Sequence, residues 1–158
     1  MTKNIRYSSP TSIEATRYYV RLKTHNSDSL FELEEPSEQT TLSHSLAKIV
    51  ADELSQVDTN YKGITLDQWM LEPDSLHALV SLQSTYTKQT DQSRKPALLS
   101  AFIAGLKAAT AKRINLIRNE PGSPVWQKSY KEQRIEDDMM LFRLRKKFNN
   151  SASTLYSS

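Results

Sequence analysis

The chain has 158 residues, enough for one domain with a sizeable core, and a formal net charge of +3. It contains no cysteine, which excludes disulfides and thiolate metal sites, and no apolar run approaches the roughly 20 residues of a membrane span. The N-terminus lacks the apolar core of a signal peptide. These features predict a soluble cytoplasmic protein.

Charge is unevenly distributed along the chain. Residues 31–60 contain seven acidic side chains and one lysine, a net charge of −6, whereas residues 96–134 carry a net charge of +5. A basic region suits an anionic partner, but a solvated surface has the same composition. Charge alone therefore leaves both interpretations open.

The first half of the chain has the periodicities of three strands and one helix. The strands are predicted over residues 16–23, 64–71 and 76–83, and the helix over residues 41–57. The first strand alternates between an apolar face, with Tyr18, Val20 and Leu22, and a basic and aromatic face. In the third strand, His77 lies on the face opposite the apolar residues. The helix is expected to pack on the sheet.

The second half predicts two helices separated by a short extended segment. A polar loop over residues 84–95 precedes the longer helix, which begins near Pro96 and has an apolar stripe that reaches Ile117. Residues 125–130 are predicted to be extended, and the last helix runs over residues 136–148.

The order strand, helix, strand, strand, helix, strand, helix predicts the α+β class. It is close to a ferredoxin-like βαββαβ plan, an antiparallel sheet with helices packed on it and a C-terminal helix. We expect residues 1–15 to form an N-terminal extension, residues 16–150 the domain and residues 151–158 a disordered tail.

Four stretches, in the correct order, resemble the single-strand DNA transposases of the IS200-like and REP-associated kind. They are Arg17-Tyr18-Tyr19-Val20-Arg21-Leu22 with Leu30-Phe31; Trp69 to Val80; Phe102 to Lys107 with Arg113-Ile114-Asn115; and Pro124 to Tyr130 with Ile135. The resemblance covers about residues 16–152. It implies a transposase fold and DNA as the partner.

The second stretch resembles the metal-binding strand of this family, the HUH motif, with one change. In active members two histidines, two residues apart, hold a divalent ion, since residues at that spacing point to the same face. Pro73, Asp74 and His77 fit the motif, but Ser75 stands where the first histidine belongs. A neutral hydroxyl is a poorer ligand than imidazole, so His77 is expected to be a weak metal remnant. The alternative is a hydrogen-bonded core histidine.

The last helix lacks the nucleophile that the resemblance implies. In active members a tyrosine near its end attacks a DNA phosphodiester, and alignment through residues 143–145 puts Lys147 there, with Phe148 beside it. Neither side chain replaces a phenolate, because the ammonium is protonated and the phenyl ring has no oxygen. Tyr130 and Tyr156 are the displaced candidates for a nucleophile.

Together these losses predict a DNA-binding, non-cleaving relative of the transposases that requires no cofactor. Mg²⁺ or Mn²⁺ is implied only if cleavage survives. The candidate contacts are cations for phosphates and two aromatic residues for stacking on unpaired bases. They are Arg17, Arg21, Lys23, Lys107, Lys112, Arg113, Lys128, Lys131 and Arg134, with Tyr19 and Trp126 as the aromatic residues. Each cation is also explained as surface charge, and Trp126 as a core residue.

Two other functions stay open on the sequence. One is an active metal-dependent nicking enzyme that uses His77 and a displaced tyrosine. The other is a protein-interaction module that contacts partners through residues 32–38 and the first helix. Charge reversal of the cations in residues 107–113 is expected to separate DNA binding from the interaction module. The resemblance leaves monomer and homodimer open, and no membrane partner is expected.

Overall fold

A computed structural model describes residues 15–32, 41–83, 97–151 and 156–157. The strands are Ala15–Lys23 (β1), Ile64–Glu72 (β2), Ser75–Gln83 (β3), Lys131–Arg134 (β4) and Tyr156–Ser157 (β5). The helices are Thr41–Ser55 (α1), Val57–Asn60 (α2), Ala97–Arg118 (α3) and Asp138–Ser151 (α4). The predicted N-terminal extension, residues 32–38 and the predicted polar loop over residues 84–95 lie almost entirely outside the described residues. The predicted domain limits stay predictions.

The strands form one antiparallel sheet in the order β4-β1-β3-β2-β5. Its first four strands have the order 4-1-3-2, with α1 between β1 and β2 and α3 between β3 and β4, which is the ferredoxin-like arrangement. The predicted α+β class is therefore confirmed. The short β5 adds a fifth strand beside β2.

One face of the sheet carries the main core. The predicted apolar face of β1, with Tyr18, Val20 and Leu22, is buried there with side chains of α1 and α3. Gly105 of α3 allows close packing at the edge of this core, because a Cβ atom on it would lie 2.7 Å from the Tyr61 hydroxyl. The Tyr61 ring instead contacts Phe102 edge-on, with 5.0 Å between the ring centroids.

The opposite face of the sheet is covered by α4. A second, smaller cluster forms between them, and its buried members are Tyr19, Met70, Leu79, Leu141 and Phe148. Two polar contacts connect α4 to β2: Arg145 Nε donates to Asp67 at 2.9 Å, and Gln68 Nε2 donates to Asn149 at 2.9 Å. Both faces of β1 and β3 are therefore packed.

Three predicted boundaries are corrected by the structure. The fourth strand is Lys131–Arg134, whereas residues 125–130 form one isolated bridge from Trp126 to Thr24. Helix α4 begins at Asp138, because the Asp137 carboxylate accepts a hydrogen bond from the Met140 N–H at 2.8 Å and caps the helix. The apolar stripe of α3, predicted to reach Ile117, is buried as far as Ile114, whereas Ile117 is 52% exposed.

Candidate functional site

His77 lies in a row of side chains that crosses the sheet on the α4 face. In the strand register it is opposite Arg21 of β1 and Met70 of β2, and Arg21 is in turn opposite Lys131 of β4. Directly opposed residues of antiparallel strands point to the same face. The row therefore runs from two cations, through the histidine, to an apolar residue.

Both ring nitrogens of His77 are hydrogen-bonded. Nδ1 lies 2.7 Å from the Tyr19 hydroxyl, and Nε2 lies 2.7 Å from Glu72 Oε1 and 3.1 Å from Ser75 Oγ. The Ser75 hydroxyl also donates to Glu72 Oε1 at 2.9 Å. We assign the hydrogen to Nε2, because that tautomer donates to the carboxylate while Nδ1 accepts from the phenol. Every polar group of this His77 network then has a partner.

The electrostatics keep the network neutral at its centre. Burial lowers the pKa of His77 below its ordinary value of 6.5, and the charges of Lys147 and Arg21 lower it further. The hydrogen bond and charge of Glu72 act in the opposite direction, but they do not outweigh burial. Burial also raises the pKa of the Tyr19 hydroxyl. At neutral pH the pair is thus a neutral imidazole and a protonated phenol.

The residues around His77 do not fit a divalent ion. Nε2 is engaged by Glu72, Nδ1 by Tyr19, and Ser75 contributes only a neutral hydroxyl. The imidazole of His77 and the carboxylate of Glu72 are then the two side chains able to bind the ion, and a stable protein site for a transition metal uses more than two. Within residues 15–32, 41–83 and 97–150, no group of three or more His, Asp or Glu side chains is arranged to hold a metal.

The end of α4 next to His77 carries no oxygen nucleophile at the aligned positions. Lys147 is exposed, and its charge lowers the pKa of His77. Phe148 is only 2% exposed and contacts the Tyr19 ring edge-on, with centroids 6.4 Å apart. The aligned lysine thus precedes a residue that packs against the Tyr19 ring, and it lacks the chemistry of a tyrosine.

The two displaced tyrosines belong to the segment before β4 and to β5. The Tyr130 hydroxyl is 3.3 Å from Ser100 Oγ, and burial raises its pKa, which disfavours the phenolate. The backbone of Tyr156, in β5, pairs with that of Leu71 in β2. A Tyr130 phenol with a raised pKa is poorly suited to attack a phosphodiester.

Two of the predicted phosphate contacts are engaged within the protein. The Lys107 ammonium donates to the carbonyl oxygens of residues 127, 128 and 129 at 2.7, 3.1 and 3.3 Å. The Arg113 guanidinium pairs with Asp52 and Glu53 of α1, each at 2.7 Å. These contacts explain both cations without DNA. Charge reversal there would disturb folding and would not separate the functions left open by the sequence.

Both predicted stacking residues are buried. Trp126 is 7% exposed, its Nε1 donates to Thr110 Oγ1 at 2.9 Å, and its ring lies 5.8 Å from that of Phe31. Tyr19 is 9% exposed beneath α4. Neither ring offers an open face for a base, so both are core residues in this structure.

The remaining predicted contacts lie in three places. Arg17, Arg21, Lys23 and Lys131 belong to the α4 side of the sheet, which follows from the strand register. Arg134 is opposite Tyr18 and lies 3.8 Å from Glu136. Lys112, on α3, and Lys128, before β4, are exposed.

The third and fourth resemblance stretches share a structural task. Besides the contacts of Lys107 and Trp126, the Asn115 side chain donates to the carbonyl of Ser123 at 2.8 Å. These three residues therefore attach the segment 119–130 to α3.

Glu72 is the site residue that the sequence did not single out. It pairs directly with Ser75 across the tight β2–β3 turn, which brings its carboxylate to His77. The dipeptide Pro73-Asp74 was the available signal, because a two-residue turn there pairs Glu72 with Ser75 and sets the register of the hairpin.

No protein-family model matches this chain, and no curated protein matches it either. Similar solved structures include the following three. A putative transposase from Deinococcus radiodurans is 18% identical, with a TM-score of 0.48, over 90% of this chain and 95% of that one. A REP-associated tyrosine transposase bound to a REP hairpin is 13% identical, with a TM-score of 0.47, over 97% and 74% of the two chains.

The third structure is a bacterial tRNA(His) guanylyltransferase-like protein in complex with GTP, 18% identical, with a TM-score of 0.45, over 88% of this chain and 65% of that one. The first two are transposases by name, and the second of them is REP-associated. At these identities and TM-scores, the similarity does not establish what this chain binds. No helix in the described part of the chain is long and apolar enough to cross a membrane.

Proposed function

We propose that this protein binds single-stranded or hairpin DNA without cleaving it. The observation that carries the proposal is the His77 network, in which Tyr19 and Glu72 engage both ring nitrogens of the one remaining histidine. Lys147, rather than a tyrosine, precedes Phe148, whose ring contacts Tyr19 of that network. Metal activation and covalent attack are separate requirements of strand transfer, and both lack their chemical group here.

The DNA-binding half of the proposal is supported by the cations beside the network. Arg21 and Lys131 lie next to each other across β1 and β4, Lys23 lies two residues further along β1, and Lys128 is exposed just before β4. Clustered cations on one side of a sheet attract the phosphate backbone and release its counterions. Since Tyr19 and Trp126 are buried, phosphate contacts rather than base stacking should supply most of the affinity.

Fluorescence anisotropy tests the binding. A labelled DNA hairpin with single-stranded flanks is compared with a matched duplex between about 50 and about 200 mM salt. We expect tighter binding to the hairpin and a steep loss of affinity as salt rises. The double variant Lys128→Glu/Lys131→Glu should weaken binding at least about tenfold, because two phosphate contacts become repulsive.

The matched control is Lys48→Glu/Lys62→Glu, the same charge change at two exposed lysines, one on α1 and one before β2. Equal losses in both double variants would mean nonspecific attraction and would contradict the proposed surface. Cleavage is tested separately, by incubating the protein with the hairpin and Mn²⁺ and searching for covalent adducts on denaturing gels. An adduct would overturn the non-cleaving part of the proposal.

A further inference from the structure

A small basic cavity lies where β1 meets the segment that leads into β4. Its volume is about 220 Å³, and it is lined by Arg21, Lys23, Gln127, Ser129, Tyr130 and Lys131. The backbone holds its walls together, because the Gln127 N–H donates to the carbonyl of Lys23 at 2.8 Å and Arg21 pairs with Lys131 in the strand register. The cavity is thus part of the sheet edge.

Positive charge inside the cavity is poorly compensated. Three cations line it, and no carboxylate does. Lys23 has a 3.5 Å contact with Asp74, but Arg21 and Lys131 form no ion pair with any described residue. The Nε of Arg21 is buried without a hydrogen-bond partner in the described part of the chain. Like charges brought together and partly desolvated are unfavourable, and an anion would offset that cost.

The segment that forms one wall is braced from behind. The ammonium of Lys107 donates to the three consecutive carbonyls of residues 127–129. Lys107 also lies over the Tyr130 ring, with its Nζ 5.9 Å from the ring centroid. A binding site whose backbone is held in this way loses less conformational freedom when a ligand arrives.

We propose that this cavity binds a terminal phosphate group, a phosphate monoester at the end of a nucleic-acid strand. A monoester carries about −1.5 to −2 charge at pH 7, which matches three cations better than the single negative charge of an internal phosphodiester. The cavity is smaller than the roughly 300–1,000 Å³ of sites that enclose whole ligands, so it suits one charged group of a larger molecule. This inference rests on the proposed DNA binding and specifies which DNA ends are preferred.

The test compares three single-stranded oligonucleotides of one sequence, with a 5′-phosphate, a 3′-phosphate or hydroxyls at both ends, each labelled internally. The full-length protein should bind one of the phosphorylated strands about tenfold more tightly than the unphosphorylated strand, the order expected for charge-assisted hydrogen bonds to one phosphate. The arm that shows the preference identifies the end. In Lys131→Gln and Arg21→Gln the preference should fall to about twofold or less.

Lys128→Gln is the control, because Lys128 is exposed on the same segment but does not line the cavity. It should weaken binding of all three strands alike and leave their ratio unchanged. Should Arg21→Gln fail to fold, Lys131→Gln at the exposed edge strand still decides the question. Equal affinities for all three strands, or a preference that survives in Lys131→Gln, would overturn the cavity assignment while leaving DNA binding intact.

If no strand binds, the proposed function fails, and the cavity is tested by itself with inorganic phosphate. Backbone NMR shifts confined to residues 127–131 would support a phosphate site that is independent of DNA. Unchanged spectra at millimolar phosphate would overturn it.

Discussion

At the residue scale, Ser75 changes the chemistry of the whole His77 network. Its hydroxyl donates to Glu72, and that carboxylate accepts from His77 Nε2 as well, so three side chains converge on one point. Buried polar groups that are fully hydrogen-bonded stabilise a unique arrangement. The same convergence gives the buried Ser75 hydroxyl a partner, so it is not left unsatisfied.

The buried His77 should make stability depend on pH. Its pKa is lowered in the folded state, so the unfolded chain takes up the proton first as pH falls below about 6.5. The free energy of unfolding therefore decreases from about pH 6.5 down to the lower pKa of the folded state. The loss is about 1.4 kcal/mol for each unit by which the pKa is lowered. Urea unfolding at about pH 7.5 and about pH 5 should therefore show a larger decrease in the free energy of unfolding for the native protein than for His77→Gln. Identical pH dependence of the two proteins would contradict this.

Ser75→His should create a metal site. The introduced imidazole would lie two residues from His77 on the same face of β3, next to the Glu72 carboxylate, and would complete three ligands. Metal at about 100 times its dissociation constant would stabilise the fold by about 2.7 kcal/mol. Thermal unfolding with Co²⁺ or Mn²⁺ measures the effect.

Ser81→His is the control for that variant. It lies on the same strand and face, opposite Arg17 and Thr65, where no carboxylate is paired with it. Equal stabilisation of the two variants by metal would show that the arrangement around Glu72 is not what binds the ion.

At the element scale, α3 has two roles: it contributes to the main core, and it holds the segment 119–130 in place. Asn115, Lys107 and Thr110 each donate to or accept from that segment. These contacts involve several residues of the third and fourth resemblance stretches. Those residues therefore hold the scaffold together.

Lys107→Met should destabilise the protein by about 1–3 kcal/mol, because three carbonyl oxygens lose their charged donor. Lys112→Met is the matched change at an exposed position of the same helix, and its effect should stay within about 0.5 kcal/mol. Urea unfolding of both variants provides the comparison. Similar free energies of unfolding for the two would mean that the contacts of Lys107 contribute little.

At the scale of the whole molecule, the sheet separates two unequal cores. The α1 and α3 side buries the larger cluster, whereas the α4 side buries five apolar residues of the described chain, supplemented by polar contacts at Asp67 and Gln68. A layer that buries less apolar surface opens at a lower free energy. Helix α4 is therefore expected to exchange its amide hydrogens before α3 does.

Phe148→Ala should enlarge that difference. Removing a buried phenyl ring costs about 3–5 kcal/mol, and hydrogen exchange should accelerate throughout α4 while α3 keeps most of its protection. Phe142→Ala, on the same helix but 62% exposed, should change little. Equal acceleration in α3 and α4 would show instead that both layers unfold as one unit.

The local pattern of apolar and polar residues was enough to predict which face of each main helix and strand is buried. Alternation in residues 16–23 separated Tyr18, Val20 and Leu22 from Tyr19. The spacing in α3 predicted a stripe from Leu99 to Ile117, of which the part up to Ile114 is buried. Burial on one face repeats with the period of the helix or strand, so a short stretch of sequence is enough to predict it. The ferredoxin-like order followed from the sequence of those elements.

Only the tertiary structure decided which polar residues meet. The segment Lys131–Arg134 has no apolar residue, so its place as β4 depends on pairing with β1. Whether Lys107 faces solvent or three carbonyls, and whether Trp126 faces a base or Thr110, depends on how a distant segment crosses α3. Periodicity reports how deeply a residue is buried, but its partners are set by register and by chain crossings that no local pattern contains.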